Sequence, residues 1–264
     1  MRRLIVLLLV ALTFTAAANA DLVGQWNFDE GTGTTLGDSV GTNNGTINGA
    51  AWQATGGKAG GALSFDGVND YVQIGDFAYT GANNEATVSF WFKSNDSLGL
   101  GHGFMFHHDY YINDNTVAVS LRGDAADPSG KVTSWIASDG ATERDIYNPM
   151  TSNAYDDNVW HMYTMTHSGT TGTIVYVDGV VIGTRSTFTG AFDPDDDIYL
   201  GCAFSGNSRT LYFGNENNCD ARLDDLSIYN NALTATEIQA LVPEPATIAV
   251  LGLGCIFLKR RSRK

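Results

Sequence analysis

Positive charge is what this sequence has least of. Its 264 residues include 15 Lys plus Arg against 29 Asp plus Glu, a formal net charge of −14, and only 17% of positions are charged at all. The long-range field of such a chain repels polyanions, which excludes nucleic acid, or an anionic membrane surface, as a partner of the folded part. Several chemical motifs are also missing. There is no His-Glu-x-x-His pair, and His102, His107 and His108 fall in one Gly- and aromatic-rich segment without zinc-ligand spacing. No nucleophile-elbow sequence supports Ser/His/Asp chemistry. The acidic run at 193–197 lacks the central Gly and terminal Glu of an EF-hand loop and reads as a solvated turn. Neither an internal repeat nor a long stretch of helical period appears.

What is present is enough for a core: 43% hydrophobic and 11% aromatic residues, which argues against a disordered acidic chain. Both ends carry export signals. Residues 1–20 place Arg2 and Arg3 before an apolar run and Ala18-Asn19-Ala20 before Asp21, the pattern of a secretory signal peptide. At the other end, Pro243, Glu244 and Pro245 precede an apolar segment, 246–258, and a basic cluster at 259–264. An apolar segment closed by basic residues predicts a membrane segment with its charged end on the cytoplasmic side. The tail 242–264 resembles the PEP-CTERM sorting signal of Gram-negative bacteria. That likeness implies secretion and sorting machinery as partners, transient inner-membrane anchoring, and delivery to the outer envelope, cell surface or extracellular matrix. Between the two ends, 8 basic face 28 acidic residues, a formal charge of −20 for residues 21–242.

That middle reads as strands joined by Gly, Asn, Asp and Thr turns. Leu22, Gly24, Trp26 and Phe28 alternate against Val23, Gln25 and Asn27, and Val88, Phe90 and Phe92 against Thr87, Ser89 and Trp91, a period of two that indicates strands with one face in a core. Further strands are predicted at 61–65, 71–74, 116–122, 132–137, 160–167, 172–177, 198–201, 210–213 and 222–229. Asp178-Gly179 between two β-branched runs is the strongest hairpin signal. Thr234 and Glu237 form a capping box ahead of Ile238, so one short helix closes the domain. Residues 95–114 and 142–158 read as loops. The expected fold is all-β, one antiparallel sandwich or barrel over residues 21–241.

The segments LVGQWNFDEG from Leu22, LSFDG from Leu63, TVSFWF from Thr87, VYVDG from Val175 and LDDLSIYN from Leu223 resemble a laminin G-like domain of the concanavalin A-like lectin/glucanase superfamily. The resemblance implies a jelly-roll sandwich of two antiparallel sheets. It says less about activity, since the fold hosts lectins, adhesion modules, glycosidases and structural modules.

Calcium is the expected ligand. Asp224 shares strand parity with Leu226 and Ile228, which would turn its carboxylate toward the apolar face, where it needs a partner. Asp29, Asp38, Asp224 and Asp225 supply hard oxygen donors, and the resemblance implies a structural calcium where the first strand's loop meets the last strand. The competing reading is that these carboxylates accept backbone N–H bonds and bind no metal. Cys202 and Cys219, the cysteines outside the tail, form an expected disulfide in an oxidising compartment. Glycoside hydrolysis needs two carboxylates facing across a cleft, and the Glu-x-Asp-x-x-Glu strand motif of glucanases is absent, so no enzyme is expected. Tyr110, Tyr111, Trp135, Tyr147 and Tyr155 lie in or near loops where a lectin presents aromatic planes. The expectation is a non-catalytic binding or adhesion module for an extracellular polysaccharide or envelope protein; the alternatives are a structural envelope or matrix protein without a specific ligand and, ranked below it, a glycoside hydrolase.

Overall fold

The computed structural model describes residues 22–76, 80–95, 102–108, 117–122, 131–136, 145–146, 155–186, 197–204, 211–212 and 220–242. In chain order the strands begin with β1 (Leu22–Trp26), β2 (Thr35–Leu36), β3 (Gly45–Asn48), β4 (Ala51–Gln53), β5 (Ala62–Asp66) and β6 (Tyr71–Ile74). They continue with β7 (Ala86–Lys93), β8 (His102–His108), β9 (Val117–Arg122), β10 (Lys131–Ile136), β11 (Asp145–Ile146) and β12 (His161–Ser168). The remainder are β13 (Gly172–Val177), β14 (Val180–Arg185), β15 (Ile198–Leu200), β16 (Ala203–Phe204), β17 (Leu211–Tyr212) and β18 (Asp220–Tyr229), followed by helix α1 (Ala235–Leu241).

Two antiparallel sheets form a jelly-roll sandwich of the concanavalin A-like type. The first runs β14-β13-β12-β7-β18-β5-β4, with β1 also on β18; the second runs β11-β10-β9-β8-β15-β6-β3-β2. β16 and β17 make a small separate pair. Alternation decides which side chains meet between the sheets: Phe90 and Phe92 of β7, Tyr163 and Met165 of β12, Val72 and Ile74 of β6, and Val117, Val119 and Leu121 of β9 share one core. The intervening residues of the first sheet point the other way. There Trp91, Met162 and Tyr176 pack under Ile238 of α1, with Trp160, Leu233 and Leu241 around them. The capping box holds α1 in place: the Thr234 side chain accepts from the Glu237 N–H at 3.4 Å, and the Glu237 carboxylate accepts from the Thr234 N–H at 2.8 Å.

Asp178 and Gly179 form the β13–β14 turn with φ of 51° and 71°. One Asp178 oxygen accepts the Met162 N–H at 2.9 Å and the other meets His161 Nδ1 at 2.7 Å, while Asp157 meets Nε2 at 3.1 Å. Burial pulls the His161 pKa down, but the two carboxylates outweigh it and the net shift is upward.

Four expectations are corrected. Residues 95–114, read as loop, contain β8; a bulge between Phe104 and Phe106 breaks its period-two pattern, so that adjacent Met105 and Phe106 are both buried. Residues 142–158, also read as loop, contain the two-residue strand β11. Cys202 is a free thiol, fully buried, with its pKa pushed up to about 12 by burial; the expected bond to Cys219 is not made, and Cys219 itself lies outside the described residues. No membrane span is found: α1 has seven residues, and among the described residues no helix is long and apolar enough to cross a membrane. Residues 1–20, expected to be a signal peptide, and Pro243, Glu244, Pro245 and the apolar and basic stretches after them lie outside the described residues.

Candidate functional site

β18 is the strand on which the candidate site is built. Its first half, 220–223, pairs with β5, its last residues pair with β1, and β7 runs along its other side. The change of partner coincides with a bulge between Asp224 and Ser227, where Asp225 takes φ 49°. The bulge resets the alternation. Leu223 and Leu226, three apart, both enter the core, and Asp224 pairs with Trp91 on the opposite face. The parity argument that turned Asp224 toward the apolar core is thereby corrected, although the carboxylate is fully buried all the same.

The loop Gly56-Gly57-Lys58-Ala59-Gly60-Gly61 covers it. The backbone N–H groups of Lys58 and Ala59 donate to Asp224 Oδ2 at 2.7 and 3.2 Å, and the Gly61 N–H donates to Asp29 Oδ1 at 2.7 Å. Glycine is required here by close approach: a Cβ on Gly57 would collide with the Gly61 carbonyl oxygen, and one on Gly61 with the Phe28 carbonyl oxygen. The Lys58 side chain turns outward and sets its ammonium 4.2 Å from the centre of the Trp91 ring. Asp224 Oδ1 has no hydrogen-bond partner. Burial, then the neighbouring Asp225 charge, raise the Asp224 pKa to about 7, and the backbone bonds oppose this only in part. Asp225 is raised by burial and then by the Asp29 charge. Asp29, Asp224 and Asp225 thus form one repelling acidic group at the crossing of the first and last strands.

Asp38 has a different occupation. It forms an isolated bridge with Trp26. Its Oδ1 accepts the N–H groups of Gln25, Val40 and Gly41 at 3.1, 3.1 and 2.9 Å, and Oδ2 accepts that of Asn43 at 3.1 Å. Burial raises its pKa, but these backbone bonds together prevail and the net shift is downward. Asp38 and Asp29 nevertheless line one open hollow of about 360 Å³ with Asn27, Glu30, Gly37 and Ser39.

The donors are hard oxygens, and the partnerless Asp224 Oδ1 is the atom a cation would satisfy, so the residues fit calcium. Among the described residues, no group of three His, Cys, Asp or Glu side chains is placed to hold a metal ion, so an ion at Asp224 would depend on backbone carbonyls or water for most of its shell. Sequence reasoning named the carboxylates but missed the Lys58–Ala59 amides; the signal was there in four glycines within six residues, which leave backbone groups free to converge.

The proposed recognition aromatics are placed unevenly. Tyr155 is 7% exposed, packed in the core and edge-on to His161 at 5.1 Å, so its ring is not offered to a ligand. Trp135 is on β10, opposite Ala118 and Asp145. Tyr110, Tyr111 and Tyr147 lie outside the described residues.

Among solved structures, domain 4 of AbnA, a GH43 extracellular arabinanase from Geobacillus stearothermophilus solved with arabinotriose, is similar at 21% identity and TM-score 0.60, over 84% of this chain and 98% of that one. The binding domain of botulinum neurotoxin DC is similar at 14% identity and TM-score 0.61, over 85% of this chain and 51% of its own length. Trypanosoma rangeli sialidase matches at 17% identity and TM-score 0.58, over 84% of this chain and 32% of that one. At these identities the likeness shows the fold alone. The chain therefore spans nearly all of the arabinanase domain, half of the neurotoxin domain and a third of the sialidase. No curated protein matches in sequence. Residues 66–239 match the Laminin_G_3 model, and with two thirds of its length inside that match the chain belongs to this family of the concanavalin A-like lectin/glucanases superfamily.

Proposed function

We propose that this chain is an exported, non-catalytic binding module for an extracellular polysaccharide or an envelope protein. One observation carries the reading: the arabinanase domain, which it spans almost completely, is a separate domain solved with an oligosaccharide. The local chemistry supports the non-catalytic part. Asp38 is held by four backbone amides that lower its pKa, which makes it a poor general acid, and the Glu-x-Asp-x-x-Glu strand motif of glucanases is absent from the sequence. A calcium ion is proposed to bind at Asp224, whose unpartnered Oδ1 it would satisfy, with Asp29 or Asp225 as a second carboxylate and backbone carbonyls or water as the rest of its shell. Asp38 belongs to the neighbouring loop and lends that hollow negative charge. The test is a polysaccharide-binding panel run on the full chain in calcium and in EDTA. Retention of a glycan supports the reading, and no retention of any glycan or envelope fraction overturns it.

A further inference from the structure

The second sheet carries a polar and aromatic row that the acidic site does not use. Strand register aligns Thr46 with Gln73, Gln73 with Tyr199 and Tyr199 with His107. Cross-strand partners share a face. Their sequence neighbours Ile47, Val72, Ile74, Ile198, Leu200 and Phe106 are in the sandwich core, so the row faces away from it. Its β3–β6 end is open: Thr46 is exposed and Asn48, Tyr71 and Gln73 are half-buried, whereas Tyr199 and His107 are buried.

At that end the Tyr71 and Tyr199 rings lie 6.3 Å apart, tilted by 38°. Beside them Asp197 is fixed by three donors: the Gln73 side-chain amide, the Asp76 N–H at 3.1 Å and the Tyr199 hydroxyl at 3.3 Å. Asn48 pairs with Tyr71 on the same face. An aromatic surface flanked by an oriented carboxylate and two side-chain amides is the chemistry that recognises a sugar ring. The ring's C–H face packs on the aromatic plane, and its hydroxyls bond to the polar groups. Charge narrows the class. β3, β6 and β15 contain no Lys or Arg, and Asp76 and Asp197 stand at the patch, so a uronic or sialic acid would be repelled.

We propose that the face formed by Thr46, Asn48, Tyr71, Gln73 and Asp197, with the buried Tyr199 ring supporting Tyr71 from beside it, binds a neutral oligosaccharide segment. This rests on the binding-module reading above and assigns its surface. The experiment measures binding of the full chain to neutral arabinan, xylan, β-glucan and galactan fragments and to polygalacturonate fragments, for the unaltered chain, Tyr71→Ala and Gln73→Ala, with circular dichroism checking the fold. The expected result is a neutral fragment bound by the unaltered chain, at least tenfold weaker binding in each variant, and no binding of polygalacturonate. If Tyr71→Ala does not fold, Gln73→Ala decides, because its side chain is half-exposed on the strand surface. Neutral-glycan binding unchanged in the variants overturns this face while leaving the module reading standing. Preference for polygalacturonate overturns the ligand class, and no glycan bound by the unaltered chain overturns the face together with the glycan half of that reading.

Discussion

Asp224 and His161 both favour their protonated forms in the fold, for opposite electrostatic reasons. Asp224 is buried beside a like charge, which raises its pKa to about 7; His161 bridges two carboxylates that keep its proton. The fold therefore binds the Asp224 proton more tightly than the unfolded chain does. That contribution is full below the unfolded value of 3.8 and fades as pH rises through about 7. The His161 contribution is full below 6.5 and is lost as pH rises through its raised folded value. In EDTA, the melting temperature is expected to fall from pH 5 to pH 8. Asp224→Asn should flatten the part below pH 7, which at full shift corresponds to about 4 kcal/mol. Added calcium needs the ionised carboxylate and should lift the melting temperature more at pH 8 than at pH 5. Thermal melts across that range check all three, and an unaltered profile in Asp224→Asn would place the titration elsewhere. That Asp224 is an acid in need of partners was legible from its apolar neighbours. The face it occupies was not, because a single bulged residue inverts every parity argument before it.

At the scale of elements, local chemistry was the readable part. The Asp178-Gly179 turn and the Thr234–Glu237 capping box are short-range devices whose geometry is set by the residues themselves, and both form as their sequences require. The helix they imply is short, so its anchor counts. Thr234→Ala removes the side-chain acceptor for the Glu237 N–H and should lower stability by about 1 kcal/mol, whereas Thr234→Asn should be close to neutral. Urea-unfolding midpoints distinguish the two. β8 shows the limit. His102-Gly103-Phe104-Met105-Phe106-His107-His108 has no clean alternation, and it becomes a strand because β9 and β15 stand ready on either side to satisfy its backbone. The Tyr71–Tyr199 pair belongs to the same category: the two residues are 128 positions apart and adjacent only through β6–β15 register.

For the whole molecule, the scarcity of positive charge has a folded consequence. A formal −20 over residues 21–242 is compact self-repulsion, and its acidic centre adds the Asp29, Asp224 and Asp225 group. Raising NaCl from about 20 to 200 mM shortens the screening length from roughly 20 to 7 Å and should raise the melting temperature at pH 7.5. A fall instead would mean that attractive pairs dominate. Calcium at millimolar concentration should exceed the effect of NaCl at equal ionic strength if the Asp224 site takes it.

The all-β class, the charge, the turn, the cap and most strand positions can be read from the amino-acid order alone, because alternation, turn chemistry and capping act over a few residues. Tertiary structure decided the rest: that Cys202 stays a buried free thiol, that Tyr155 is core, that Asp224 faces Trp91 beneath a glycine loop, and that Tyr71 meets Tyr199. The last two depend on register between strands far apart in the chain. Register is fixed by bulges and by the shared burial of both sheets, which no local pattern records.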